Sequence, residues 1–282
     1  MKIYHKSETL KKELDPFLKN NIKVGFVPTM GALHMGHISL VERALQENDC
    51  VVVSIFVNPT QFNNTEDLEK YPKTLDNDVA LLKTLNKNII VFNPIASDLY
   101  NNNIASKKYR FSGLEHEMEG KHREGHFDGV GTVLNLLFRI VCPTNAYFGE
   151  KDYQQLQIAK KLVEIESLPV SIVGCSIVRE KNGLAMSSRN KRLTEAQKNK
   201  AAIIHKTLTE VSEKFKTHSI SELNTFVLDT FKIYPDLKLE YFEIANVKTL
   251  KTAKRKRKNN TYRAFIAIFA GSVRLIDNFA LN

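Results

Sequence analysis

Apolar runs alternate with helix-length amphipathic runs along the first two thirds of the chain. Residues 23–27, 51–57, 89–92 and 170–178 are typical of buried strands, and residues 38–46, 76–85, 132–141 and 153–165 are typical of helices. Strands joined by helices of this length pair in parallel, because each crossover returns the chain to the same end of the sheet. The pattern predicts a Rossmann-like, doubly wound α/β fold whose ligands bind beyond the carboxyl ends of the strands.

The pattern of predicted helices and strands changes in the last third of the chain. Residues 193–215 and 220–233 are predicted helices, and residues 237–244, 262–270 and 273–276 are predicted strands joined by short loops. Helices followed by antiparallel strands predict a smaller α+β domain. A chain of 282 residues has room for two domains, which we place at residues 1–184 and 185–282. We expect the second to close over a site on the first.

The segment VPTMGALHMGHISLVERA, residues 27–44, joins a predicted strand to a predicted helix that begins near His37. The first turn of a helix has unpaired N–H groups and a partial positive charge, so it readily accepts a phosphate. Gly31 and Gly36 would let the backbone approach such a ligand. His34 and His37 can donate hydrogen bonds to phosphoryl oxygens as negative charge develops on them. This segment therefore indicates nucleotide chemistry.

Polar side chains follow two other apolar stretches, the predicted strand at residues 51–57 and the NAYF segment at residues 145–148. Asn58 and Gln61, in IFVNPTQF, can donate to and accept from a small polar substrate, although an Asn-Pro turn is also common structural punctuation. Lys151, in GEKDYQQ, supplies a positive charge at a helix start, and Gln155 follows on the first turn. Taken alone, the second segment is explained better by a surface lysine on a helix capped by Asp152.

The segment LAMSSRNKRL, residues 184–193, lies at the predicted domain junction. The hydroxyls of Ser187 and Ser188 and the guanidinium of Arg189 form a cationic loop able to close over transferring phosphates. In isolation the same residues fit the serine-rich start of a helix. Because this segment occurs together with the other candidate nucleotide-binding segments, we favour the phosphate interpretation.

Two further segments leave alternatives open. In HREGHFDGVGTVL, residues 122–134, the glycines predict a tight loop before an apolar helix; the H-E-x-x-H zinc pattern is absent, and His126 fits a turn-stabilising side chain. In EKYPKTLDNDVALL, residues 69–82, Asp76 and Asp78 lie near a predicted helix start. They fit either helix caps or a contact to a magnesium ion held mainly by phosphate and water.

Composition narrows the function classes. The five basic residues 254–258 (KRKRK) supply half of the net charge of +10. They contain no aromatic residue for base stacking, so we expect a solvated hairpin loop, with RNA binding as a minor alternative. We expect no membrane span and no secretory signal, since the first residues are polar. Three scattered cysteines, Cys50, Cys142 and Cys175, are typical of free thiols in a reducing cytoplasm.

The order of these motifs resembles the pantothenate synthetase family, whose members are also called pantoate–β-alanine ligases. PTMGALHMGH, FVNPTQF, YPKTLDND, GHFDGV, YFGEKDYQQ, MSSRN and RLIDN extend from residue 23 to residue 278. H-x-G-H and MSSRN look like this family's versions of the two signatures of the HIGH-type nucleotidyltransferases. The resemblance implies a Rossmann-type domain with a smaller C-terminal domain, ATP and Mg²⁺, and a homodimer. It also implies ATP-dependent joining of (R)-pantoate to β-alanine through a pantoyl adenylate, with release of AMP and pyrophosphate.

The resemblance also implies roles for individual residues. His34, His37 and Lys151 are the expected catalytic residues, with His37 matching the proton-donor position. Gln61 and Gln155 are expected to bind pantoate, Gln61 also to border the β-alanine site, and Asp78 to contact the magnesium ion. The expected ATP-binding residues are Met30, Gly31, Ala32, Leu33, His34, Met35, Gly36, His37, Gly149, Glu150, Lys151, Asp152, Val178, Met186, Ser187, Ser188 and Arg189.

The chain departs from the family pattern at a few positions. Glu124 replaces a proline before the glycine-containing segment, Asn77 stands where many members have an acid, and FAGSVRLIDN differs from the usual form at Ser272 and Val273. The main alternative is another nucleotidyltransferase of the same fold. Gln61 and Gln155 favour the ligase over this alternative, because two neutral amides suit a hydroxy acid better than a phosphorylated acceptor.

Overall fold

A six-stranded parallel sheet forms the centre of the larger part of the protein. The structure is a computed structural model that describes residues 1–62, 65–69, 71–85 and 87–282. The strands of this large sheet are β1 (Lys2–Tyr4), β2 (Val24–Thr29), β3 (Cys50–Ile55), β4 (Ile89–Phe92), β5 (Asn145–Gly149) and β6 (Ser171–Cys175). The helices between them are α1 (Ser7–Lys19), α2 (Met35–Glu47), α3 (Thr65–Glu69), α4 (Leu75–Lys83), α5 (Ala96–Leu99), α6 (Glu119–His122), α7 (His126–Val141) and α8 (Tyr153–Ile165).

The strand order β1-β4-β3-β2-β5-β6 determines where a ligand can bind. From β2 the chain winds outward through β3 and β4, and then returns to place β5 on the opposite side of β2. The winding direction therefore reverses between β2 and β5, and the loops after these two strands diverge. Such a switch point leaves a crevice at the carboxyl ends of the strands. The predicted doubly wound parallel sheet is confirmed.

The four central strands of the large sheet, β2 to β5, are buried on both faces, as is typical of parallel sheets. Phe26 and Val52 pack on one side in a core shared with α1, α7 and α8. Val27 and Val53 pack on the other side against apolar residues of α2 and α4. Because alternate residues of these strands pack into different apolar cores, nearly every residue is apolar and the strands are continuous apolar runs in the sequence.

A second, antiparallel sheet follows three helices, α9 (Glu195–Ala201), α10 (Ile203–Lys214) and α11 (Ile220–Lys232). This C-terminal sheet consists of β7 (Leu237–Asn246), β8 (Tyr262–Ala270) and β9 (Val273–Ala280), in that order. It shares a separate apolar core with α10 and α11, so the predicted α+β part is confirmed. The division at residues 184 and 185 stays a prediction. The basic residues 254–258 are exposed between β7 and β8, as expected.

Several local predictions were wrong. Helix α2 begins at Met35, which agrees with the predicted start near His37; the differences lie elsewhere. Helix α7 begins at His126, so Gly129 and Gly131 lie inside the helix rather than in a loop. A Cβ on Gly129 would lie 2.4 Å from the carbonyl oxygen of Thr60, which explains a glycine there. The predicted helix 193–215 is divided between α9 and α10.

The elements that were not predicted include β1, β5 and α1. Strand β1 has only 3 residues, β5 (NAYFG) has a polar residue and a glycine at its ends, and α1 contains a proline, Pro16. None of the helices in the described ranges combines the length and the apolarity needed to cross a membrane.

Candidate active site

The loop between β2 and α2 is held by a buried carboxylate. Asp78, on the first turn of α4, accepts hydrogen bonds from the backbone N–H groups of Ala32 (2.9 Å) and Leu33 (2.8 Å). Gly31 and Ala32 have φ values of +80° and +50°, so this tight loop needs an external anchor. Asp78 is 2% exposed and both of its carboxylate oxygens are engaged. This arrangement does not fit the magnesium contact considered for Asp78, nor a cap of its own helix.

The two histidines of the loop cap helix α2. His34 is the N-cap residue, and its Nδ1 accepts from the N–H of Gly36 at 3.1 Å. The Nδ1 of His37 accepts in turn from the N–H of His34 at 3.3 Å. A Cβ on Gly36 would lie 2.8 Å from the His34 ring, so the glycine makes room for this imidazole. Its predicted approach to a ligand stays a prediction, and Gly36 lies on the cavity wall. The capping bonds fix both rings.

Burial and the capping bonds together determine the protonation of the two rings. Burial and the charge of Lys151 lower the pKa of His34 to about 4. Burial, followed by the neighbouring His34, lowers the pKa of His37 to about 3. Both imidazoles are therefore neutral at pH 7, and since each Nδ1 is an acceptor, each proton is on Nε2. The ring centroids are 4.1 Å apart, so the site presents two adjacent Nε2–H donors.

Lys151 lies across the switch point from the histidines. Strand β5 ends at Gly149, a 3₁₀ turn spans Glu150–Asp152, and α8 begins at Tyr153. The Lys151 side chain is 19% exposed, and its Nζ is 3.6 Å from a carboxylate oxygen of Asp152. Because β2 and β5 are adjacent in the sheet, this ammonium group faces the same cavity as His34. Asp152 does not cap α8 through its side chain, so the capping interpretation of this segment was wrong.

Gln61 lies in a 3₁₀ turn, Pro59–Gln61, after β3. Its Oε1 accepts from the Asn58 amide at 3.1 Å, and its Nε2 is 2.7 Å from the sulfur of Met30. The Nδ1–H of His126 donates to the Gln61 carbonyl oxygen at 2.8 Å, which matches the turn-stabilising role predicted for this histidine. Burial and the charge of Arg123 lower the pKa of His126 to about 3, so this ring is also neutral.

The serine-containing loop approaches from the C-terminal side. The N–H of Met186 donates to the carbonyl oxygen of Val178 at 3.0 Å, which joins the two predicted adenine- and phosphate-side segments. The Ser187 hydroxyl accepts from the N–H of Arg189 at 3.3 Å and caps the 3₁₀ helix Ser188–Arg192. The loop is therefore held by the Met186 hydrogen bond to Val178 and by the capping bond of Ser187.

One cavity collects most of the predicted site residues. Those on its wall are Met30, His34, Gly36, His37, Gln61, Gly149, Lys151, Asp152, Gln155, Val178, Met186, Ser187, Ser188 and Arg189. The predicted nucleotide contacts that are not on its wall are Gly31, Ala32, Leu33, Met35 and Glu150. The first three form the anchored loop, Met35 is 53% exposed, and Glu150 pairs with Arg263.

The wall also contains residues that sequence reasoning missed, among them Glu119, Arg123 and Asn278. Arg123 is in the HREGHFDGV segment and Asn278 is in RLIDN, so both belong to motifs that had been noticed without a role being assigned. Glu119 had no sequence signal of its own.

A family model described as pantoate-beta-alanine ligase matches residues 2–280. The chain belongs to this ligase family. A pantothenate synthetase from Flavobacterium psychrophilum is 55% identical over 282 residues, covering 100% of both chains. One from Christiangramia forsetii is 50% identical, again with 100% of both chains covered.

Solved structures of the ligase family have the same fold. The pantothenate synthetase of Thermus thermophilus matches with a TM-score of 0.91 at 37% identity, covering 100% of this chain and 99% of that chain. A pantoate-beta-alanine ligase from Francisella tularensis, complexed with beta-gamma ATP and beta-alanine, matches with a TM-score of 0.79 at 38% identity. That comparison covers 100% of this chain and 98% of that chain.

Proposed function

We propose that this protein joins (R)-pantoate to β-alanine at the expense of ATP, and that the cavity at the switch point carries out both half-reactions. One observation carries the proposal: two neutral imidazoles, Lys151 and two glutamine amides line a single cavity beyond the carboxyl ends of β2, β3 and β5. Membership of the pantoate–β-alanine ligase family supports the choice of substrates.

In the first half-reaction a carboxylate oxygen of pantoate attacks the α-phosphorus of ATP. The bond from that phosphorus to the bridging oxygen breaks, and pyrophosphate leaves. Charge builds on the phosphoryl oxygens, where the Nε2–H groups of His34 and His37 and the ammonium of Lys151 stabilise it. Neutral imidazoles act here as hydrogen-bond donors and not as sources of a full proton, which revises the proton-donor role expected for His37.

In the second half-reaction the amine of β-alanine attacks the carbonyl carbon of pantoyl adenylate. The carbon–oxygen bond to AMP breaks, and the amine loses a proton to solvent as the amide forms. Neither step needs a covalent bond to the protein, so orientation of the substrates is the main contribution of the site.

The lining of the cavity fits a branched hydroxy acid. The Gln61 and Gln155 amides can bind its hydroxyl and carboxylate groups, and Val130, Val133 and Leu134 of α7 form an apolar wall for its methyl groups. We further propose that Gln61 borders the β-alanine site. Two neutral amides favour this acceptor over a phosphorylated one, which is the discriminating feature against other nucleotidyltransferases of this fold.

We assign the nucleotide to the remaining wall. Gly149, Lys151 and Asp152 are proposed to contact its phosphates and ribose, the Val178 backbone its adenine, and Met186 to Arg189 its phosphate side. The described residues contain no cluster of three or more side chains that could hold a metal ion. We therefore propose that Mg²⁺ enters as part of the Mg·ATP substrate, bound by phosphates and water. A homodimeric assembly and a cytoplasmic location are further proposals from the family resemblance and the three free cysteines.

A coupled assay tests this function. Purified protein is supplied with Mg·ATP, (R)-pantoate and β-alanine, and AMP is measured, with each organic substrate omitted in turn as the control. We expect AMP release to require both pantoate, which is adenylated, and β-alanine, whose amine displaces AMP from the pantoyl adenylate. Folded protein that forms no AMP in the complete mixture would reject the proposal.

A further inference from the structure

The C-terminal sheet reaches into the site through one buried amide. Asn278, on β9, is 2% exposed, and its Nδ2 donates to the carbonyl oxygens of Glu150 (2.9 Å) and Lys151 (2.9 Å). These are two consecutive carbonyls of the 3₁₀ turn between β5 and α8. Both hydrogens of the amide are therefore used on the backbone of the turn, and neither is left for a ligand.

A second residue determines which way the Asn278 amide points. Arg263, on the neighbouring strand β8, donates from Nη1 to the Asn278 Oδ1. Its Nη2 is 3.2 Å from a carboxylate oxygen of Glu150, and its guanidinium lies 4.2 Å from the centre of the Tyr153 ring. Since a guanidinium can only donate, the amide oxygen must face Arg263 and the amide nitrogen must face the turn.

The two bonds fix the orientation of the turn that carries Lys151. In a trans peptide the C=O and the following N–H point in opposite directions, so holding two successive carbonyls sets both peptide planes beside the Lys151 Cα. The lysine side chain leaves from between these planes and extends into the cavity. A shift of this turn would move the Lys151 ammonium group, whereas His34, His37 and Gln61 lie on other loops of the cavity wall and would keep their positions.

We propose that Asn278, oriented by Arg263, is a positioning residue that directs Lys151 at the phosphates of ATP. This proposal rests on the proposed function for the identity of the nucleotide. Asn278 acts only through the backbone of the turn, so its effect on nucleotide binding depends on the presence of the lysine side chain.

The test is a double-mutant cycle read by calorimetric binding of α,β-methylene-ATP with Mg²⁺. The four proteins are the wild type, Asn278→Ala, Lys151→Ala and the double variant. We expect Asn278→Ala to weaken binding by about tenfold in the wild-type background and by less than about twofold in the Lys151→Ala background, as coupled residues do. An undiminished effect in the Lys151→Ala background, or unchanged binding by Asn278→Ala, would overturn the proposal.

A matched variant controls for loss of stability. Asn48 also donates from its Nδ2 to two acceptors, Ala44 O (2.9 Å) and Tyr147 Oη (2.6 Å), but it precedes β3 at the opposite end of the sheet. Asn48→Ala should lower the melting temperature without changing nucleotide binding; an equal loss of binding there would assign the Asn278 effect to general destabilisation and overturn the proposal. Asn278→Asp, which keeps the shape and loses both donors, replaces Asn278→Ala in the cycle if the alanine variant does not fold.

The binding cycle is separable from the proposed reaction. If the wild type binds the nucleotide and the cycle behaves as expected, the positioning role stands even where the AMP assay is negative. If the AMP assay is positive and the cycle shows no coupling, the proposed reaction stands and the positioning role fails.

Discussion

The large sheet and the C-terminal sheet contribute to the site in different ways. The large sheet places side chains at the ends of β2, β3 and β5, where the two histidines, Lys151 and Gln61 line the cavity. The C-terminal sheet adds side chains that donate hydrogen bonds to the part of the protein built on the large sheet. Asn278 donates to two backbone carbonyl oxygens, and Arg274 donates to the carboxylate of Glu119. The large sheet therefore carries the side chains that line the cavity, and the C-terminal sheet helps to fix their positions.

This division has a physical reason. Parallel strands deliver several loops to one edge, so a switch point gathers residues far apart in sequence. Such loops lack regular hydrogen-bond partners and need anchors from elsewhere, because unpaired buried backbone groups are costly. Asp78 is the anchor within the large unit, and Asn278 is the anchor from the C-terminal sheet. The comparison between the two units can be tested by removing one anchor or one chemical group at a time.

The largest expected effect is on stability at the junction of the two sheets. Arg274 makes two 2.8 Å bonds to the buried Glu119, and although burial alone would raise it, Arg274 brings the pKa of Glu119 down to about 2. Arg274→Met should lower the free energy of unfolding by about 3–5 kcal/mol in urea titrations, because the buried carboxylate loses its two-bond partner and keeps only the Tyr241 hydroxyl (2.7 Å) and the more distant Arg123 (3.9 Å). The double variant with Glu119→Met should recover most of that loss; a double variant as unstable as the single one contradicts the ion-pair explanation.

The next largest effect is on catalysis. His37→Ala should lower kcat by on the order of 10²–10³, because one donor to the developing phosphoryl charge is removed. Steady-state AMP formation measures this. His116→Ala, at an exposed position, is the matched control and should keep the wild-type rate. A wild-type kcat for His37→Ala would remove this residue from its proposed role.

A smaller effect is expected at Asp78, where the alternatives of anchor and metal contact can be separated. Asp78→Asn keeps the size but replaces one accepting oxygen by an amide, so it should destabilise the protein by about 1–3 kcal/mol, measured by urea unfolding. The concentration of Mg²⁺ that half-saturates the reaction should stay unchanged. A large rise in that concentration with unchanged stability would restore the magnesium contact.

The smallest expected effect is a change in pH dependence at His126. Its folded pKa of about 3 lies below the ordinary value of 6.5, so in acid the unfolded state binds the proton more readily and stability falls as pH drops from 6.5 toward 3. His126→Asn keeps a donor to the Gln61 carbonyl and removes the titration. Urea unfolding between pH 7 and pH 4.5 should show a slope reduced by up to about 1.4 kcal/mol per pH unit. An unchanged slope would mean that His126 binds its proton as readily in the folded protein as in the unfolded chain.

Local patterns predicted the location of the site but not what holds it in place. The alternation of strands and helices was sufficient for the doubly wound sheet. The position of His34, His37, Gln61 and Lys151 directly after apolar runs was sufficient to place them at one shared edge. Each of these signals spans a few residues. The anchors do not: Asp78 binds a loop 45 and 46 residues away, and Asn278 binds a turn 127 and 128 residues away.

Short-range reasoning also failed where a residue's neighbour was unknown. Gly36 was predicted to admit a ligand, and it lies on the cavity wall, but its sequence context did not show that the missing Cβ also makes room for the His34 ring. Gly129 was predicted in a loop because glycine disfavours helices, yet it lies inside α7 where a backbone carbonyl leaves no room for a Cβ. In both cases the contact that decides the residue comes from packing, which propensity does not contain.

Isotope transfer tests most directly whether the cavity activates a carboxylate by adenylation. (R)-Pantoate labelled with ¹⁸O in both carboxyl oxygens is converted with Mg·ATP and β-alanine, and the products are analysed by mass spectrometry. Attack of the carboxylate on the α-phosphorus predicts AMP that carries one ¹⁸O atom and an amide that retains the other. Unlabelled AMP, or ADP with labelled inorganic phosphate, would contradict it.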